Sequence, residues 1–254
     1  MAGGFFMRRY KKNLLLAVFC FLLFWGTGEL AGNLQTSLAV REVTVTDTAE
    51  EVEKFRSLDV KEELLQSCYN RKKLPWFSCL FPKNTEGGNA LYSILADMEC
   101  FPVSNSNTDQ NVTVDFEDSW GGARTYGGER RHEGTDLMPS INERGVIPVV
   151  SVSDGTVEKK GWLELGGWRL GIRGRHGTYF YYAHLERYAE GIQPGSEVKA
   201  GQIIGYMGDS GYGEEGTVGQ FAVHLHFGIY LTLEGKEVSV NPYKLLKLFD
   251  EGSH

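Results

Sequence analysis

Near its start the chain carries an uncharged, mostly apolar run. Asn13 to Gly28, NLLLAVFCFLLFWGTG, carries no charge and follows the basic stretch RRYKK. Sixteen helical residues at ~1.5 Å each span about 24 Å, short of the ~30 Å hydrocarbon core of a bilayer. The run therefore reads as a signal-peptide h-region or a short signal anchor, with residues 1–12 as its basic cytoplasmic flank. Leu, Phe and Trp surround the helix with no polar face, which argues against a buried core helix. Residues 29–47 are polar and β-branched and read as a linker. Thr48 to Tyr69 predicts one amphipathic helix, with Val52, Phe55, Leu58, Leu64, Leu65 and Cys68 on its apolar stripe. Glu86 to Asp97 predicts a second helix, and Ser104 to Thr113 a further linker.

From Val114 the period shortens to two. Pro148 to Val157 reads as strand, Asp-Gly turn, strand; Trp168 to Ile172, Thr178 to Leu185, Glu197 to Gly205 and Val223 to Leu231 add further strands. Of the 32 glycines, 24 fall between Val114 and Asp250 without a collagen-like period, so turns are frequent there. Short strands with glycine turns predict an all-β, antiparallel domain over 114–250, preceded by a small helical region within 29–113 and the amino-terminal membrane segment.

Charge sharpens this picture. The formal net charge is −7, but residues 1–12 carry +4, leaving −11 on the rest. So acidic a body is a poor binder of phosphate backbones, and nucleic acid is not an expected partner. The positive flank ahead of the apolar run keeps the amino terminus inside and exports the remainder of the chain. The expected location is extracytoplasmic: membrane-anchored, or secreted if the segment is cleaved. Gly26-Thr27-Gly28 offers small residues but no A-x-A site, which favours the anchor. Cys20 lies in the apolar run. Cys68, Cys79 and Cys100 allow at most one disulfide among them and show no metal-ligand spacing.

Candidate chemistry lies in the histidines. In Val223-His-Leu-His-Phe-Gly-Ile-Tyr230, strand alternation puts Val223, Leu225, Phe227 and Ile229 on one face and His224, His226, Gly228 and Tyr230 on the other. Two imidazoles ~7 Å apart along one strand can converge on one site. His132 and Asp136, four apart among glycines, offer nitrogen and carboxylate ligands of the kind zinc accepts. His184, in Tyr181-Tyr-Ala-His-Leu185, is a third strand histidine, which by itself reads as structural.

Taken together, HxxxD, then aromatic-Ala-His-Leu, then HLHF in this order resembles the M23 peptidases, the lysostaphin-like zinc endopeptidases of peptidoglycan. The resemblance covers about Phe116 to Leu248, with support from Gly201-Gln-Ile-Ile-Gly-Tyr-Met-Gly208 and Asn241-Pro242. It implies an antiparallel β-sheet or β-sandwich of the duplicated-hybrid-motif type. It also implies Zn2+ held by His132, Asp136 and His226, and peptidoglycan as the partner. His184 and His224 would be the remaining catalytic histidines, with general base and oxyanion donor unassigned between them. Tyr126, six residues before His132, matches a tyrosine that faces the tetrahedral intermediate in some members. Arg131 to Leu137, Gly166 to Ile172 and Ser210 to Thr217 look more narrowly like members that cut the L-alanyl-D-glutamate bond of stem peptides. Trp162, Trp168, Arg169 and Tyr212 are candidate cleft walls. The alternative is a non-catalytic envelope scaffold that uses the same cleft to bind a partner protein or peptidoglycan.

Overall fold

The computed structural model describes residues 31–40, 49–73, 77–81, 86–104, 112–126, 128–233 and 235–250. The apolar run 13–28, its basic flank and most of the 104–113 linker lie outside the described residues. Among the described residues no helix is long and apolar enough to cross a membrane.

The segment expected as a linker at 29–47 contains a helix over 31–40, α1. It is tied to the following helices by Arg71 Nε donating to Asn33 Oδ1 (2.9 Å) and by the Thr36–Ser67 hydroxyl pair (3.1 Å). The single helix predicted over 48–69 is two: α2 (Ala49–Arg56) and α3 (Glu62–Asn70). Leu58 causes the break. Its φ is +50°, Leu58 N donates to Phe55 O and Asp59 N to Lys54 O, which is a Schellman-type helix end usually made by glycine. Leu58 accepts the left-handed conformation while its side chain is fully buried, so the apolar stripe stays continuous although the helix does not.

After a 3-10 turn (Phe77–Leu80), α4 (Glu86–Asp97) matches its predicted span. Leu91, Ile94 and Leu95 enter the core. Its last residue, Asp97, is buried and accepts backbone N–H groups from His176 (2.9 Å) and Thr178 (3.1 Å), and His176 Nδ1 (2.8 Å). That pins the helix to a turn of the sheet. Cys68, Cys79 and Cys100 are all free thiols.

Twelve strands follow: β1 (Val114–Phe116), β2 (Ala123–Arg124), β3 (Arg130–Arg131), β4 (Thr135–Pro139), β5 (Pro148–Val150), β6 (Gly155–Leu163), β7 (Gly167–Gly174), β8 (Tyr179–Tyr188), β9 (Glu197–Val198), β10 (Ile203–Met207), β11 (Leu225–Leu233) and β12 (Lys236–Val240), closed by helix α5 (Tyr243–Asp250). Every described pairing is antiparallel. Ten strands join one sheet in the order β1-β4-β11-β8-β7-β6-β9, with β12 added on β11 and β10 bridging β8 to β5; β2 and β3 form a separate hairpin. β8 and β11 lie at its centre. Leu225, Phe227, Ile229 and Leu231 of β11 and Phe180 and Tyr182 of β8 face the core, as alternation requires. The opposite face is open and carries His226 and Tyr230. The helices stay off this face: α2 meets β12 through Arg56 Nε and Ser239 O (3.1 Å), and α3 meets α5 through Tyr69 and Phe249 (5.0 Å).

Candidate active site

The open face of the sheet floors a cleft of about 600 Å³. One rung of the ladder carries the centre: Asp136 on β4 pairs with His226 on β11, which pairs with Ala183 on β8. His132 stands in the turn before β4. Its Nδ1 lies 3.1 Å from Ser119 O. A carbonyl only accepts, so Nδ1 carries the proton and Nε2 presents a lone pair. That Nε2 is 3.1 Å from Asp136 Oδ1 and 3.0 Å from His226 Nδ1, and the last two atoms are 3.0 Å apart. Three electron-rich atoms thus meet at the corners of a small triangle. A tetrahedral ion with ~2.0–2.1 Å bonds requires corners about 3.3 Å apart, so the donor set fits a divalent metal.

Gly134 makes the convergence possible. A Cβ there would stand 2.5 Å from Phe227 O and 2.7 Å from His226 Nε2, so only glycine lets the turn lie against the imidazole. The other carboxylate oxygen of Asp136 is held by Arg124 Nη2 at 2.7 Å. Burial alone raises the Asp136 carboxyl pKa. Hydrogen bonds and charge from His132 and His226 outweigh it and hold the carboxyl well below the usual range.

His184 and His224 complete the cluster, with ring centres 4.7 Å apart. By alternation His184 belongs with Tyr182 on the core side. A bulge reverses it: Trp168 pairs with Leu185 but Leu170 with Tyr182, and His184 has φ +62°. The extra residue turns His184 into the cleft, as bulges beside active sites do. His184 Nδ1 donates to Ser210 O and His224 Nδ1 to Ala222 O, each at 2.8 Å. Both Nε2 atoms are therefore the basic nitrogens. Burial pushes both imidazoles below their ordinary pKa, helped at His184 by the neighbouring His224 and His226.

Tyr126 is joined to this cluster through Tyr212, whose ring lies 6.0 Å from that of His184. Its ring stacks on Tyr212 at 4.3 Å and its hydroxyl donates to Tyr212 O at 2.6 Å, so it belongs to the rim. Tyr212 and Arg169 line the cleft. Trp162 and Trp168 pack edge to face at 5.3 Å, and Trp162 Nε1 donates to Gly213 O; they support the wall behind it. Sequence reasoning named neither Arg124 nor Tyr181 as a site residue, and placed Tyr230 on the histidine face without giving it a role. The two tyrosines follow from the same alternation that exposes His226; Arg124 had no signal beyond its nearness to the HxxxD segment. His176 pairs with Asp97 away from the site.

Residues 130–242 match the sequence profile of peptidase family M23. A crystal structure of a Ruminococcus gnavus protein assigned as the glycyl-glycine endopeptidase LytM is 40% identical, covers 84% of this chain and 90% of its own, and superposes with a TM-score of 0.62. The L-Ala--D-Glu endopeptidase of Bacillus subtilis is 46% identical over 135 residues, 53% of this chain and 40% of that protein. Lysostaphin of Staphylococcus simulans is 32% identical over 118 residues, 46% of this chain and 21% of that protein. The chain belongs to peptidase family M23, whose members are zinc metallopeptidases, and has its mostly antiparallel, lysostaphin-like fold. It spans well under two thirds of the two curated relatives.

Proposed function

We propose that this protein is a zinc-dependent endopeptidase of peptidoglycan that cuts the L-alanyl-D-glutamate bond of stem peptides. The observation that carries it is the meeting of His132 Nε2, Asp136 Oδ1 and His226 Nδ1, with two further histidines whose basic nitrogens are unspent. The 46% identity to the Bacillus subtilis enzyme supports the choice of bond.

His132, Asp136 and His226 hold the metal. When bound, zinc supplies Lewis-acid chemistry, polarising the scissile carbonyl and lowering the pKa of water. Arg124 fixes the Asp136 carboxylate in its orientation. His184 and His224, kept neutral near pH 7 by burial, present Nε2 as proton acceptors. Either one, once protonated, becomes a donor to the developing oxyanion or the leaving amine. Tyr126 and Tyr212 shape the rim. The catalytic region, 114–250, works outside the cytoplasmic membrane, tethered by residues 13–28; the +4 flank ahead of that run supports this.

The test is metal content together with mass spectrometry of digested muropeptides. The full chain should carry one zinc and release from a disaccharide-tetrapeptide a peptide beginning with D-glutamate. His132→Ala, Asp136→Ala or His226→Ala should lose both metal and turnover. Consumption of dimeric muropeptides alone would make the enzyme a cross-link endopeptidase, and metal binding without turnover on any muropeptide would favour the scaffold reading.

A further inference from the structure

Two arginines share the cleft-facing side of β7, because Leu170 and Ile172 take the core side. Arg173 is fully matched: its Nε and Nη2 reach Glu158 at 2.7 and 3.2 Å, and Glu237 lies at 3.7 Å. Arg169 lines the cleft yet makes no ion pair among the described residues, and its Nη1 is buried without an acceptor. A guanidinium does not deprotonate, and its planar fork fits a carboxylate through two parallel hydrogen bonds. The site therefore lacks one partner of a particular shape and charge.

Position says what that partner is attached to. Asp136, His226 and Ala183 occupy one rung of three neighbouring strands, and the bulge sets Arg169 opposite Ala183 and His184 on the fourth. Two strand spacings of ~4.8 Å put the Arg169 main chain about 10 Å from His226, the span of about three extended residues. The Arg169 side chain reaches into the cleft across part of that span, so a peptide whose scissile amide lies over the metal ligands passes the guanidinium within one or two residues of the cut. Small residues keep the path clear, with Gly166 and Ala183 lining the cleft beside it. The surrounding charge agrees. In a chain of net charge −7, this cleft is lined by Arg124, Arg130, Arg131, Lys159 and Arg169 against three acids, one of them the ligand Asp136.

We propose that Arg169 is a specificity-determining residue that binds a free carboxylate of the substrate peptide within one or two residues of the scissile bond. This rests on the stem-peptide reading above. In such a stem the glutamate is linked onward through its side chain, so its α-carboxylate is free beside the cut. A polyglycine bridge offers no internal carboxylate, and amidation of the glutamate removes it.

The experiment uses the zinc-loaded full chain and two N-acylated stem tetrapeptides that differ only in a glutamate carboxylate or carboxamide. The native protein should prefer the carboxylate by about tenfold or more in kcat/KM, chiefly through KM. Arg169→Gln should lose that preference, its kcat/KM on the carboxylate peptide falling to that on the carboxamide, and Arg169→Lys should recover part of it. A native enzyme with no preference, or an Arg169→Gln that slows both peptides equally, overturns the proposal. Calorimetric titration with N-acetyl-D-glutamate forms the second arm, run on variants with native melting temperatures. If neither stem is cut, the stem-peptide reading fails and this arm decides Arg169 alone: binding lost in Arg169→Gln supports the assignment, and equal binding refutes it.

Discussion

Gly134→Ala is the smallest change that should disable the metal site without touching a ligand. The added Cβ would lie 2.5 Å from Phe227 O and 2.7 Å from both Cε1 and Nε2 of His226, where ordinary contact begins at 3.4 Å. The overlaps are therefore 0.9 and 0.7 Å. Phe227 cannot retreat cheaply, because β11 is paired on both sides, with Thr135 of β4 and Tyr182 of β8. The His226 ring must move instead, and its Nδ1 leaves the 3.0 Å contacts with Asp136 and His132. Over-packing of this kind costs ~1–3 kcal/mol, which at ~2–4 °C per kcal/mol lowers Tm by roughly 2–12 °C. A ligand displaced by most of an ångström should lower turnover about 10²-fold. Chelator competition should show metal affinity weakened ~10–100-fold, the scale seen when a ligand's support is lost. The matched control is Gly32→Ala in α1, whose Cβ would meet nothing closer than Arg71 at 3.6 Å; it should stabilise by ~0.5–1 kcal/mol. Gly134→Ala with native melting and native metal affinity would refute the packing argument.

Four further outcomes are expected. His184→Ala and His224→Ala should each retain the metal, by elemental analysis, while kcat falls ~10²-fold or more; loss of metal in His224→Ala with retention in His226→Ala would reverse the roles of the two strand histidines. Cys79 is exposed, whereas burial pushes the Cys68 thiol up to about 12, so iodoacetamide mapped by mass spectrometry at pH 8 should mark Cys79 well before Cys68. Because the folded pKa of Cys68 is the higher one, its contribution to stability is complete below the unfolded value near 9.0 and lost as pH rises towards 12; Cys68→Ala should flatten the alkaline limb of a stability-pH profile. Asp97→Ala strands two backbone N–H groups and the His176 ring; at ~1–3 kcal/mol for a buried group left without its partner, thermal melts should fall by several degrees.

The sequence was legible wherever one face of an element is buried. Alternation in 223–230 predicted which side chains of β11 enter the core and put His224 and His226 on one side, where the structure has them. The helix expected over Glu86 to Asp97 is α4. Legibility failed where the backbone departs from its repeat. Leu58 satisfies a helical stripe and still ends the helix, because a left-handed leucine buries its side chain as well as a helical one does. By itself His184 reads as a structural strand histidine, and only the family resemblance marks it as a site residue; the bulge against Trp168 and Leu170 is what turns it into the cleft, and no residue type announces that bulge. Tyr126 was matched to the site by the family resemblance, and the structure stacks it on Tyr212 at the cleft. Arg169 was named as a wall residue, but its missing partner is a property of three-dimensional packing.

Three imidazoles in this site, His132, His184 and His224, are oriented by the main-chain carbonyls of Ser119, Ser210 and Ala222. A carbonyl survives every substitution at its residue. The side chains at 119 and 222 can drift without disturbing a tautomer, and Ser210 uses its hydroxyl elsewhere, donating to Leu185 O and accepting from Trp168 N. The support of these three histidines is thus shielded from point mutation and leaves no trace in residue identity. Such a centre is robust to neutral drift and fragile to insertions or deletions: losing one residue from the turn that carries Ser119 or Ala222 moves a carbonyl that no replacement side chain can restore. Variation in loop length near these turns, more than variation in sequence, is where activity in this lineage would be lost.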